Sequence, residues 1–289
     1  MVRARVFAVT LLAMLAFAAN SILCRLALQT TAIDPATFAA IRLLSGAVML
    51  IALVALRGRA LQGNWRSAFA LFAYAAGFSL AYVGLPAATG ALLLFGAVQV
   101  TMSGHGLWSG ERLGGWQVAG LLLALAGLVG LLLPGLSAPP LGSAMLMLAA
   151  GVAWGVYSLR AKGAGDPAAA TAGNFLRSAP MAVLLVLLVL LMGGQRSADA
   201  AGMGYAIASG ALASGLGYVL WYACLPLLRS TTAATVQLSV PVLAAIGGIV
   251  FLGEALTLRL VLASMAVLGG VAVVVSSPVL PLRRRPRAP

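Results

Sequence analysis

The feature that leaves this chain fewest choices is a succession of apolar runs, each close to the roughly 20 residues that a helix needs to cross a bilayer core. Cutting at charges, prolines and loop residues gives ten, at 6–28, 35–56, 65–85, 88–109, 113–133, 141–161, 170–193, 201–224, 230–252 and 256–277. Lipid satisfies no backbone polar group, so such runs are expected to be helices. With 62% hydrophobic and 8% charged residues over 289 positions, the makeup is that of a polytopic membrane protein and not of a soluble domain. The short connectors leave no room for a separate extramembrane domain.

The net charge of +13 is scattered between the apolar runs. That pattern argues against nucleic-acid binding and fits the orienting charges of a bacterial inner-membrane protein. With the N-terminus in the cytoplasm, thirteen basic residues fall inside, among them Arg57, Arg160, Lys162 and Arg283, against Arg25, Arg196 and Arg259 outside. Both termini are therefore expected to be cytoplasmic. Val2-Arg3-Ala4-Arg5 and Ala16-Phe17-Ala18 imitate a cleavable signal, but the segment has a counterpart in the second half and reads as the first span. Cys24 and Cys224 are too few for a disulfide framework or a thiolate metal site and read as packing residues.

The second constraint is repetition. Gly77-Phe78-Ser79-Leu80-Ala81-Tyr82-Val83-Gly84-Leu85-Pro86 returns as Gly217-Tyr218-Val219-Leu220-Trp221-Tyr222-Ala223-Cys224-Leu225-Pro226. Phe17 to Arg25 echoes Trp154 to Lys162, with Asn20 against Tyr157; Arg42 answers Arg177; Gly110-Glu111 answers Gly253-Glu254. The Pro-rich segment 134–140 divides five runs from five, and an odd number per half inverts the second half in the membrane. The expected fold is all-α: a first repeat over 1–135, an inverted second repeat over 136–282, a basic tail over 283–289, and a central cavity between the repeats.

Candidate functional residues follow from cost. Arg42 and Arg177 lie within spans, where a guanidinium either meets a substrate carboxylate or snorkels and binds freed backbone carbonyls. Asn20, Gln99, Asn174 and Gln237 either hydrogen-bond a permeant molecule or tie helix to helix. Phe17, Tyr74, Phe78, Tyr82, Trp154, Tyr157, Tyr218, Trp221 and Tyr222 fit a cavity lining, with Tyr82 and Tyr222 toward opposite ends, whereas Trp65, Trp108 and Trp116 suit the membrane interface. His105 is the one ordinary candidate for a proton site, against a plain structural role. Asp34-Pro35 and Asp166-Pro167 read as helix starts, and Glu111 and Glu254 as caps of the helix that follows each. Gly120, Ala124, Gly127, Gly130 and Gly269-Gly270 allow close helix approach, in a homodimer or within the chain. No metal-ligand cluster, Walker A loop, dinucleotide fingerprint or carboxylate pair stands out, so neither an enzyme nor a cofactor or metal is expected.

Ten spans in two inverted halves, the arginine in Ile41-Arg42-Leu43, and Phe251-Leu252-Gly253-Glu254 before the last helix resemble the EamA-type repeats of the drug/metabolite transporter superfamily. Within it the chain looks most like the YddG-type aromatic amino-acid exporters. It departs from the family in having Phe17 where tryptophan is common and Val98 where the second repeat has Pro241. The resemblance implies a cavity lined by helices one to four and six to nine, helices five and ten peripheral, and alternating access. The expected function is export of amino acids or similar small metabolites, aromatic or hydrophobic, running on a downhill gradient without a membrane-embedded carboxylate. A drug or other metabolite efflux carrier of the same superfamily is the alternative; a non-transporting membrane scaffold or sensor is the rival from another class.

Overall fold

Asp34 and Pro35 show how the apolar runs become helices. The Asp34 carboxylate accepts from the N–H groups of Ala36 and Thr37, and Pro35 takes the first helical position, where its missing N–H costs nothing. Asp166 and Pro167 repeat the device with Ala168 and Ala169. The computed structural model describes residues 2–109, 114–133, 138–161, 165–193, 197–227, 233, 236–237 and 239–276. Among these the chain forms ten helices: α1 Val2–Thr30, α2 Pro35–Leu56, α3 Trp65–Ala81, α4 Ala87–Trp108, α5 Gly115–Leu132, α6 Leu141–Ala161, α7 Pro167–Leu191, α8 Ala200–Cys224, α9 Ser239–Leu252 and α10 Leu258–Ser276. Six of them, α1, α2, α4, α6, α7 and α8, are long and apolar enough to cross a membrane. The expected landmarks Gly110-Glu111, Lys162 and Arg196, the first part of the Pro-rich segment at 134–137 and the basic tail 283–289 lie outside the described residues.

The contact scheme has the symmetry of two inverted repeats. Helix α1 packs on α8 and α9, and its counterpart α6 packs on α3 and α4; α2 packs on α7 and α8, and α7 packs on α2 and α3. Helices α4 and α9 meet each other, and so do α5 and α10. The extensive interfaces thus run between one half and the other. The pair α5 and α10 stands at the side of this arrangement and, among the described residues, meets the rest mainly through α4.

Close approach, not hydrophobic transfer, holds helices together in lipid. A Cβ on Gly120 would lie 2.3 Å from the Gly270 carbonyl oxygen, and one on Gly127 would lie 2.8 Å from the Ala266 Cβ, so those glycines serve the α5–α10 contact within the chain. Gly130 and Gly269 face open space. Trp65, Trp108 and Trp116 are exposed on the outer surface, as are Val48, Phe69, Leu184 and Met265, which suits a lipid-facing belt.

Helix α8 is not uniform. Between Ala200–Ile207 and Gly217–Cys224 it winds as a π-helix over Ala208–Leu216. The sequence there is Ala208-Ser209-Gly210-Ala211-Leu212-Ala213-Ser214-Gly215, an Ala-Ser-Gly triplet repeated after five residues. Five residues on an α-helix would put the two serines about 140° apart. The i→i+5 bonding of a π-helix instead brings them toward one side. Gly210 lets this segment touch α2, since a Cβ there would lie 2.1 Å from the Arg42 carbonyl oxygen.

Candidate functional site

The centre of the bundle is a buried polar knot wrapped in aromatic rings. Arg42 of α2 is 1% exposed. Its Nε donates to Ser214 Oγ at 3.0 Å, and its Nη2 donates to Tyr74 OH at 2.8 Å and to Tyr218 OH at 3.1 Å. The guanidinium carbon lies 4.7 Å from the Phe78 ring centroid and 5.0 Å from that of Tyr74, within cation–π range. Asn20 of α1 closes the knot: its Nδ2 donates to Tyr74 OH and Ser214 Oγ, both at 3.3 Å, and its Oδ1 accepts from Ser209. Every acceptor around this cation is neutral. Arg42 Nη1 is buried and has no partner.

No carboxylate among the described residues compensates this charge. Asp34, Asp166 and Asp199 cap α2, α7 and α8. Glu254 sits at one end of the bundle, 3.3 Å from Arg25 Nε. A lone buried cation is expensive, because the solvation lost must be replaced by an anion or by dipoles. Here two phenols, one serine and two ring faces supply part of that replacement.

Trp154 of α6 lies below the knot. Its ring centroid is 4.6 Å from Tyr218, 5.0 Å from Tyr74, 5.4 Å from Phe17 and 5.8 Å from Tyr157, and its Nε1 donates to Gln237 Oε1 at 2.8 Å. On its far side a cavity of about 320 Å³ opens between the α2–α3 loop, the end of α6 and the start of α7. Tyr157, Asn174 and Tyr222 face this cavity, with Arg160 at its edge held by Ser67 and Asn64. Asn174 Nδ2 donates to Tyr157 OH at 3.4 Å, and Tyr222 OH is buried without a partner. Trp154 thus separates a polar vestibule from the arginine.

The opposite end is held by a latch. Gly253, with φ +63°, ends α9 in the left-handed region, and the N–H of Glu254 folds back onto the Gly248 carbonyl. The Glu254 carboxylate then accepts from the Ala87 N–H at 2.8 Å and from Arg25, while Arg25 Nη1 donates to the Tyr82 carbonyl at 3.0 Å. Tyr82 OH donates to the Ala87 carbonyl, and its ring meets Phe78 at 4.7 Å. One latch ties α1, α3, α4 and α9 together.

The structure therefore brings Phe17, Asn20, Arg42, Phe78, Trp154 and Tyr218 into one cluster, places Tyr82 at its latched end and Tyr157, Tyr222 and Asn174 at its vestibule, and sets Gln237 behind Trp154. Gln99 is buried in α4 and bonds Ser103, with its Oε1 unpartnered. Two candidates lie apart from the cluster, and one further expectation needs correction. Arg177 does not join the cluster: it is half-buried and donates to the backbone carbonyls of Gln62 and Gly173, which satisfy it at the bundle's end. His105 is exposed on α4 with Ser109 as its neighbour at 3.3 Å, outside the aromatic cluster. Glu254 caps α4, not α10; Thr257 caps α10 instead, its Oγ1 accepting from the Leu260 N–H. Ser209 and Ser214 are site residues that neither residue type nor position reveals singly; the five-residue Ala-Ser-Gly repeat was the available signal.

Ten helices among the described residues, packed around a buried polar centre with a vestibule at one end and a latch at the other, have the build of a multi-pass membrane protein. The chain belongs to the EamA-like transporter family of the drug/metabolite transporter superfamily, whose family model matches residues 5–133 and again 141–276. It is 58% identical over 275 residues to the uncharacterized protein PA1977 of Pseudomonas aeruginosa, covering 94% of this chain and 95% of that one. A crystal structure of another protein shares its fold with a TM-score of 0.68, at 23% identity over 93% of this chain and 98% of that chain.

Proposed function

We propose that the chain is a bacterial inner-membrane exporter of small metabolites that carry a carboxylate on an aromatic or hydrophobic body, the broad class that takes in amino acids and similar acids. The observation that carries this reading is Arg42, a buried cation with Nη1 unpartnered inside a box of Tyr74, Phe78, Trp154 and Tyr218. A guanidinium presents paired donors to a carboxylate, and the rings suit an apolar body. Two units, 1–135 and 136–282, rock against each other, and both termini with the tail 283–289 face the cytoplasm. On that orientation the vestibule of Tyr157 and Tyr222 opens inward, and the Arg25–Glu254 latch closes the outer end. Opening the latch while Trp154 and its neighbours close the vestibule completes alternating access.

A cationic-drug efflux carrier of the same superfamily is disfavoured by the same observation, since the buried charge has the sign of the drug. A downhill gradient of a metabolite made in the cell suffices as driving force. The test is release of a panel of amino acids and organic acids from proteoliposomes of the purified protein. Arg42-dependent release of aromatic members supports the reading; protein-dependent release of cations alone overturns it.

A further inference from the structure

The charge inventory around Arg42 constrains the cargo further than its carboxylate. A zwitterionic amino acid brings an ammonium group as well as an anion, and that group would sit within a few ångströms of the same guanidinium. The site must then supply an anion, or at least free acceptors, to hold it. Among the described residues no carboxylate meets the guanidinium, and most of the acceptors beside it are already engaged, Tyr218 OH with one donor and Tyr74 OH and Ser214 Oγ with two each. Tyr74 OH already accepts from Arg42 Nη2 and Asn20 Nδ2, Ser214 Oγ accepts from Arg42 Nε and Asn20 Nδ2, and Asn20 Oδ1 accepts from Ser209. The faces of Tyr74 and Phe78 that could receive a cation are turned to Arg42 itself. What remains unpartnered around the guanidinium is a donor, Arg42 Nη1. The unmatched group is a donor on a cation, and its complement is an anion.

Resting on the reading of Arg42 as the carboxylate anchor, we infer that the cargo crosses as a net monoanion: an aromatic or hydrophobic carboxylic acid with no charged ammonium group. Arginine stays protonated at any physiological pH, so the loaded centre is neutral and the empty one is positive. The bound anion removes an uncompensated buried charge, which favours the loaded carrier. Each cycle that returns empty moves one negative charge across the membrane. Export is then electrogenic, and an interior-negative potential drives the anion out whichever way the protein is inserted. A centre of this kind needs neither a proton nor a titrating side chain, in keeping with the exposed place of His105.

The experiment compares 3-phenylpropanoate with phenylalanine, which differ by the α-ammonium group. Both are loaded, labelled, into proteoliposomes at pH 7.5, with protein-free liposomes as baseline, and the potential is set by valinomycin and a potassium gradient. We expect protein-dependent release of 3-phenylpropanoate at least tenfold faster than that of phenylalanine, and a further several-fold rise at an interior-negative potential. Phenylalanine released as fast as 3-phenylpropanoate, or release of the acid that ignores the potential, overturns the inference and leaves the exporter reading in place. If no acid or amino acid of the wider panel is released above baseline, the exporter reading falls first. Because Arg42→Met risks misfolding, Arg42→Lys is the companion variant, with the thermal midpoint of the detergent-solubilised protein as second readout. 3-Phenylpropanoate should raise that midpoint in the parent more than phenylalanine does, and less in Arg42→Lys; equal shifts for the two ligands in the parent overturn the inference.

Discussion

Arg42 and Asn174 each stand eight residues beyond an aspartate cap, Asp34 and Asp166, on two helices that pack against each other. The duplication placed them alike, and their surroundings make them opposites. Asn174 is a neutral amide beside a cavity, its Oδ1 taken by the Asn64 N–H and its Nδ2 by Tyr157 OH. Arg42 is a sealed cation, and what seals it is the π-helical part of α8, which presents Ser214 to the guanidinium. The equivalent helix of the first repeat, α3, has no such segment. The repeat thus supplies the scaffold, while one side chain and one irregular helix turn a symmetric bundle into a one-sided site. Arg177, three residues further along α7, belongs to the end of the bundle.

The sharpest way to break this asymmetry is Gly210→Ala. On the alignment of Gly77 with Gly217, α3 already carries Ala70 at the matching place. In α8 the new Cβ would meet the Arg42 carbonyl oxygen and Ser45 Oγ, both at 2.1 Å, so the π segment and α2 must part. The expected cost is about 3 kcal/mol, read as a large loss of folded protein in detergent. Next comes Arg42→Met, which should slow carboxylate release about 100-fold, the loss of a charge-assisted contact, while Arg177→Met changes it less than about threefold because only backbone carbonyls lose a donor. Equal losses in the two variants would erase the distinction between the centre and the end.

The latch sharpens the comparison at lower stakes. Glu254→Gln keeps the shape but weakens both the α4 cap and the Arg25 pair, groups 12% and 16% exposed. A loss of about 1 kcal/mol is expected, measured as a drop of a few degrees in thermal midpoint, and a double-mutant cycle with Arg25→Gln should recover part of it. The smallest effect belongs to His105→Gln, which should leave both the rate and its pH profile within about twofold, the size expected of a surface change. A pH profile that flattened in this variant would return the histidine to the transport path.

Much of the fold was legible because lipid enforces it: apolar runs, Asp-Pro starts and recurring landmarks each have a single physical reading in a bilayer. The aromatic members of the site were legible for the same reason, since Phe78 and Tyr82 recur as Tyr218 and Tyr222. Three things were not. Glu254 stands next to α10 in sequence, but the left-handed turn at Gly253 aims it at α4. Arg42 and Arg177 read alike as arginines within spans, but Arg177 stands eleven residues beyond its aspartate cap, not eight, and only the fold shows that the carbonyls of Gln62 and Gly173 take it. Ser209 and Ser214 need the π register to converge, and small residues carry no local preference strong enough to announce it.

The claim at the centre of this account is that the cargo's carboxylate sits on Arg42. A solid-state NMR distance measurement between a carboxyl-labelled 3-phenylpropanoate and ¹⁵N-labelled arginine side chains, with Arg42→Lys for assignment, tests it directly. The account predicts dipolar coupling to Arg42 that corresponds to a carboxylate oxygen about 3 Å from Nη1, a hydrogen-bond distance. Coupling only to Arg160, at the edge of the vestibule, or to no arginine at all would contradict it.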